Sequence, residues 1–165
     1  MRGEGQRIHI DTTVDMELTA YIPSVYVKNE FQKLELYKRI AAISTRDDLE
    51  DMTDELIDRY GELPVEVIAL LEIALLKNTA SARYVTRIKQ QEGSIQMTLY
   101  HHAPADITRL DAWLKEEKGK LVFRQEKNPV LEFNTGHVKQ SELITSVWVM
   151  LDKVAALMDE KLLLI

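Results

Sequence analysis

Apolar side chains recur along this chain at two spacings, and the switch between them divides it into elements. Val14, Met16, Leu18, Ala20 and Ile22 alternate with Asp15, Glu17, Thr19 and Tyr21. This period of two predicts a half-buried strand that Pro23 ends. From Asn29 the spacing lengthens. Asn29 is placed to cap a helix that turns Phe31, Leu34, Tyr37, Ile40, Ala41 and Ile43 inward. Thr45-Arg46-Asp47-Asp48 resembles a capping box with Asp in place of Glu, opening a second helix with inward Leu49, Met52, Leu56, Ile57 and Tyr60. Gly61 suits the left-handed position after that helix, and Pro64 the first turn of a third. The third helix, Pro64 to about Ala82, is apolar nearly all round, which predicts a place between layers.

Beyond Ala82 short periods of two return. Tyr84–Lys89 and Ser94–Tyr100 flank Gln91-Glu92-Gly93 and predict a hairpin; Leu121–Arg124 and Val130–Phe133 flank Asn128-Pro129 and predict a second. Between them, Ala105–Lys118 reads as a helix with Ile107, Leu110, Trp113 and Leu114 inward. Ser141 to about Leu162 reads as a long closing helix through Leu143, Ile144, Val147, Trp148, Leu151, Val154 and Leu157. Strands and helices are interspersed without a βαβ rhythm, so the expected class is α+β. The expected organisation is two small α+β lobes around helical layers. Residues 1–13 would be a linker or tag remnant. Residues 14–83 would form a first lobe, mostly helical after one strand, and 84–165 a second with hairpins and the long C-terminal helix.

Composition narrows the function. With 165 residues, 45% hydrophobic and 29% charged, the chain has the make-up of a globular protein rather than a disordered one. It holds no cysteine and no apolar run near the roughly 18 residues needed to cross a bilayer. No apolar signal follows Met1-Arg2-Gly3-Glu4, and a cytoplasmic location is expected. The net charge of −6 sits almost wholly in the first half: up to Ala82 there are 9 basic and 16 acidic side chains, and from Arg83 onward 12 and 11. Duplex binding relies on Lys and Arg displacing counterions from phosphates. This balance does not supply them, and direct nucleic-acid binding is not expected.

Catalytic patterns are missing as well. There is no phosphate-binding Gly-rich loop ending in Lys-Ser/Thr, no Gly-x-Ser-x-Gly and no His-Glu-x-x-His. His101-His102, read as strand residues, would point to opposite faces and make poor co-ligands. No catalytic, cofactor or metal site is expected in this segment.

What remains is acid. Between Asp47 and Glu66 nine carboxylates face a single Arg59. At about 100° per residue, Asp51, Asp54, Glu55 and Asp58 gather opposite the apolar stripe of the second helix. Glu55 can pair with Arg59 one turn on, and the whole face could be simple solubilising surface, but one arginine cannot neutralise so many acids. Asp51, Asp54, Glu55, Asp58 and Arg59 are therefore the candidate partner-binding residues. In the preceding helix, Lys38 and Arg39 would be solvated or paired with Glu35 or Glu30.

Two short motifs, Tyr37-Lys38-Arg39-Ile40 and Glu55-Leu56-Ile57-Asp58-Arg59-Tyr60-Gly61 with Leu63-Pro64 after it, occur in an order and at a distance that carry a resemblance. They look like the C-terminal domain of the bacterial transcription-repair coupling factor. The match is dense from about Val14 to Tyr84 and rests on element order beyond. The resemblance implies the terminal module of a much larger ATP-driven DNA translocase, whose motor, with its ATP and magnesium, lies upstream. It implies an autoinhibitory clasp on a UvrB-like N-terminal module of the same protein, covering the surface that UvrA must reach. RNA polymerase would be met only through the parent. The acids matching the family's clasp contacts are Glu55 and Asp58. From the residues alone, a free-standing adaptor bridging two proteins without catalysis is the alternative.

Overall fold

The computed structural model describes residues 9–164 and, for Leu164, the backbone only. The elements run β1 (Thr13–Asp15), α1 (Glu30–Ala41), α2 (Arg46–Tyr60), α3 (Val65–Ala82), β2 (Val85–Gln91), β3 (Ser94–Leu99), α4 (Ile107–Glu116), β4 (Leu121–Arg124), β5 (Val130–Asn134) and α5 (Gln140–Leu157), with a closing 3-10 turn over Glu160–Leu164. The class is α+β. The chain divides into two compact units, one over Glu17–Thr79 and the other over the residues from Ala80 onward together with those up to Met16.

The Glu17–Thr79 unit is helical. Asn29 Oδ1 accepts the Gln32 N–H at 3.0 Å and starts α1. The capping box of α2 forms in both directions: Thr45 Oγ1 accepts the Asp48 N–H at 3.0 Å, and Asp48 Oδ2 accepts the Thr45 N–H at 3.1 Å. Gly61 closes α2 at φ 91°, ψ −166°. That is positive, as expected, but more extended than the left-handed helical well. Its N–H still reaches Ile57 O at 2.9 Å, and a residue with a Cβ would be strained there. Asn78 Nδ2, on α3, donates to Ala41 O at 2.9 Å and Ile43 O at 2.6 Å and so caps the carbonyl end of α1.

Burial corrects the expected helix faces. In α1 the core stripe is Leu36 and Ile40, continued by Ile43 after the helix, whereas Phe31 and Leu34 are 73% and 52% exposed. Apolar residues lie on both sides of α1, and packing selects the side that Leu36 shares with Ile40 and Ile43 at i, i+4, i+7. In α2 Met52 and Leu56 are buried, Leu49 and Tyr60 half-buried, and Ile57 exposed, because one residue beyond Leu56 is a 100° turn off the stripe. Helix α3 buries Val67, Leu71, Ala74, Leu75, Leu76 and Ala80 but leaves Val65 and Ile68 exposed.

The strand expected over Val14–Ile22 makes ladder bonds only at Thr13–Asp15, parallel to Arg87–Lys89 of β2. The alternation of exposure continues to Ile22, so the chain stays extended but leaves the sheet at a bend at Glu17. Ile22 is held instead by Tyr37, whose hydroxyl accepts its N–H at 2.8 Å. Of residues 1–13, the first eight lie outside the described part. Ile10 and Thr12 are buried; Ser81 Oγ donates to Ile10 O, and Thr12 Oγ1 to Val85 O at 2.7 Å.

The other unit is a five-stranded mixed sheet in the order β1-β2-β3-β5-β4, antiparallel except at β1. Glu92-Gly93 closes the first hairpin, with Gly93 at φ 76°. Register places Ile88, Met97, Leu131 and Phe123 side by side on the apolar face and Lys89, Gln96, Glu132 and Val122 on the other. On that second face Glu132 Oε1 accepts from Gln96 Nε2 at 2.8 Å and Arg124 Nη1 at 2.9 Å. Leu110 and Trp113 of α4 are buried, whereas Ile107, expected inward, is 80% exposed at the first helical position beside its cap Asp106. Helix α5 ends at Leu157, earlier than expected. Met158 turns extended and bridges to Ala105, and Arg109 Nη1 donates to Met158 O at 3.2 Å, satisfying a carbonyl at the helix end. Among the described residues no helix is long and apolar enough to cross a membrane.

Candidate docking surface

The candidate residues all lie on α2, whose position is fixed by its buried stripe at Met52 and Leu56 and by its cap at Thr45. Tyr26, reaching from the loop before α1, donates its hydroxyl to Gly61 O at 2.9 Å and Leu56 O at 3.1 Å and packs its ring 5.7 Å from that of Tyr60. Burial and the neighbouring Tyr60 hold the Tyr26 hydroxyl above its ordinary pKa.

With the buried side turned in, Asp51, Asp54 and Asp58 stand exposed, and none makes an ion pair or side-chain hydrogen bond with a described residue. Asp47 extends the same row. Spaced 4, 3 and 4 residues apart, the four fall within an arc of about 60° along some 16 Å of helix. Asp47 lies in the first turn of α2, and the i, i+4, i+7, i+11 spacing is the signal that places it on the crest as well.

Glu55 stands apart from this row. It lies about 60° to one side of Asp58, toward α1, and is only 35% exposed. Arg39 grips it with both ends of its guanidinium: Nη1 donates to Oε2 at 2.5 Å and Nη2 to Oε1 at 2.6 Å. The Arg59 guanidinium lies 3.7 Å from Oε2, the expected i,i+4 pair, and 5.1 Å from the centre of the Tyr60 ring. The Arg39 hydrogen bonds are the main reason that the Glu55 carboxyl sits below its ordinary pKa; they also raise that of Arg39. The expected pairing of Arg39 within its own helix is thereby corrected. Lys38 takes Glu35 at 3.7 Å and Lys33 takes Glu30 at 3.2 Å, while Arg39 faces α2 and crosses to it. A cleft of about 320 Å³ opens beside the fork, lined by Arg39, Ala42, Ile43, Asp48, Asp51, Met52 and Glu55. Asp48 is spent on the cap, where the Ser44 N–H is the first cause of its lowered pKa.

Elsewhere, His101 and His102 do not point apart. The strand ends at Leu99 and the Ala103 N–H closes a turn on Tyr100 O at 2.9 Å, which brings the two rings to 4.1 Å between centroids. Among the described residues no three His, Cys, Asp or Glu side chains are grouped to hold a metal ion. A cavity of about 180 Å³ in the sheet unit is lined by Trp113, Phe133, Val149 and Met150 together with Glu117 and Lys153.

The TRCF domain model matches residues 16–110, a span that includes the whole of α2. The transcription-repair-coupling factor of Bacillus subtilis is 37% identical over 97 residues, and that of Staphylococcus epidermidis 40% identical over 97 residues. Both alignments cover 59% of this chain but 8% of the relative, so the chain spans a small fraction of the curated relatives it matches. A solved C-terminal domain of a transcription-repair coupling factor shares the fold, with a TM-score of 0.71 and 24% identity, over 94% of this chain and 98% of that one. With its family model covering more than half of the sequence, this chain belongs to the TRCF domain family of transcription-repair coupling factors.

Proposed function

We propose that this segment is the C-terminal regulatory domain of a transcription-repair coupling factor, and that the crest of α2 is its docking surface. In this reading it folds back on a UvrB-like N-terminal module of the same protein and masks the surface that UvrA binds. The parent protein is an ATP-dependent translocase that displaces stalled RNA polymerase and recruits nucleotide excision repair; its nucleotide and magnesium sites lie outside this segment. The observation that supports the reading is the exposed row of Asp51, Asp54 and Asp58, without ion pairs among the described residues, inside the span matched by the family. Solvated carboxylates of this kind are suited to recognition by cations and lack the paired environments that acid–base catalysis needs.

Energetics favour a tethered latch over an intermolecular complex. An exposed ion pair contributes about 0–1 kcal/mol, too little for a few of them to join separate molecules. Within one chain the effective concentration is on the order of 1 mM. A contact with a Kd of about 0.1 mM would then be roughly nine-tenths closed, and a change of about 1.4 kcal/mol would shift the ratio tenfold. The test is charge reversal in the full-length protein, Glu55→Lys with Asp58→Lys. The double variant should retain severalfold more UvrA than wild type in a pull-down at matched salt. Equal retention removes these residues from the role.

A further inference from the structure

We infer that Arg39 is an internal counter-ion that closes Glu55 to outside cations, so that an incoming guanidinium meets Asp58 first and reaches Glu55 only by displacing Arg39. The inference rests on the docking reading for its biological use, but its geometry is independent of it. Both Glu55 oxygens are engaged by one guanidinium at 2.5 and 2.6 Å, and Arg59 lies behind at 3.7 Å. The trio of Glu55, Arg39 and Arg59 therefore carries one positive charge in excess. A third cation brought to the same carboxylate meets two like charges, and the gain from the acid is offset. Asp58 has no such screen: it is exposed and has no ion pair among the described residues.

The same geometry gives Arg39 somewhere to go. Asp51 lines the cleft beside the fork, is exposed and holds no ion pair among the described residues. A guanidinium that gave up Glu55 would meet Asp51 across that cleft, leaving the number of internal ion pairs unchanged while the partner adds its own with Glu55. Such an exchange is close to neutral in free energy, as a reversible latch requires, and it favours arginine over lysine in the partner. Only a planar fork can replace both hydrogen bonds that Arg39 makes. Arg39 is thus a specificity-determining residue of the docking face rather than a permanent strut for Glu55.

The experiment is a titration of this chain, carboxyl-labelled with carbon-13, with a tetra-arginine peptide at low salt, following Glu55 Cδ and Asp58 Cγ by NMR. In wild type Asp58 should respond at lower peptide concentration than Glu55. In Arg39→Gln the Glu55 midpoint should fall about three- to fivefold, the size of effect an exposed ion pair can exert, with the Asp58 midpoint moving less than twofold. Arg39→Lys, which keeps the charge and loses the fork, should give an intermediate midpoint and serves as the deciding variant if the glutamine form does not fold. An unchanged Glu55 midpoint, or equal shifts at Glu55 and Asp58, overturns the inference. In the full-length protein Arg39→Gln should lower UvrA retention, opposite in sign to charge reversal on α2. An NMR effect without any change of retention in either variant would leave Arg39 as the screen of Glu55 and overturn the docking reading alone.

Discussion

Tyr37 occupies a position where the helical pattern asks for an apolar side chain, and its ring meets that demand; its hydroxyl does something the pattern does not encode. It accepts the N–H of Ile22, a residue only 3% exposed that has left the sheet and has no strand to bond with. Tyr37→Phe keeps the ring and strands that donor, which should cost about 1–3 kcal/mol. Tyr21→Phe, at a side chain 45% exposed, should stay within about 0.5 kcal/mol. Urea midpoints of the two variants check the contrast, and equal midpoints would discount the hydrogen bond. Arg39 teaches the same lesson in charge. Its identity is plain in the sequence, but its partner is 16 residues away across a helix–helix gap, and spacing rules see only neighbours one turn distant. The exposure of Asp58 and the pairing of Arg59 with Glu55 one turn away are legible because both are local.

Elements whose signals are local could be read closely. Thr45 and Asp48 bond to each other's backbone within four residues, so the start of α2 follows from composition alone. Thr45→Ala removes one of the two bonds and should destabilise the chain by about 1 kcal/mol. The check is a lowered denaturant midpoint with an unchanged slope; a changed slope would mean that α2 had been lost rather than loosened. The two hairpins are similarly local, and their strands fall within a residue or two of expectation. Elements whose limits depend on partners were harder. The alternation from Val14 to Ile22 is real, but a strand is defined by the neighbour it bonds, and only Thr13–Asp15 has one. Helix α5 stops at Leu157 although Leu162 and Leu163 continue the apolar run. The competing bonds of Asp106 N–H to Leu157 O and Asp159 N–H to Pro104 O, each 2.8 Å, come from a segment some 50 residues earlier. Faces follow the same rule. Phe31 and Ile107 have the right chemistry for a core yet stay exposed, Phe31 because it lies off the buried stripe of α1 and Ile107 because it is the first residue of α4.

At the scale of the whole molecule the acids that the fold holds are distinct from the exposed row proposed for docking, and Glu55 alone is given both roles. Among the described residues three carboxyls are held below their ordinary values: Asp48 by the Ser44 N–H, Glu55 by the Arg39 fork, and Glu132 by Arg124 and then Gln96. Two belong to the helical unit and one to the sheet, so each unit carries its own sensitivity to acid. The sign follows from linkage. A group whose pKa is lowered by folding binds its proton more readily when unfolded, so it stabilises the fold above its unfolded value and ceases to as pH falls through its folded one. For Glu132 the ordinary value is 4.5, which places the loss below that pH. Thermal unfolding followed by circular dichroism should give a midpoint that is nearly level from pH 7 to about pH 5 and falls below it. Glu132→Gln keeps the shape and removes the titrating group. It should start from a lower midpoint at pH 7 and decline less steeply in acid, so that the two curves approach each other as pH drops. Parallel curves would mean that the cross-strand bridge from Arg124 is not coupled to folding. The exposed row at Asp51, Asp54 and Asp58 makes no ion pair with a described residue, so its charge is available to act outward.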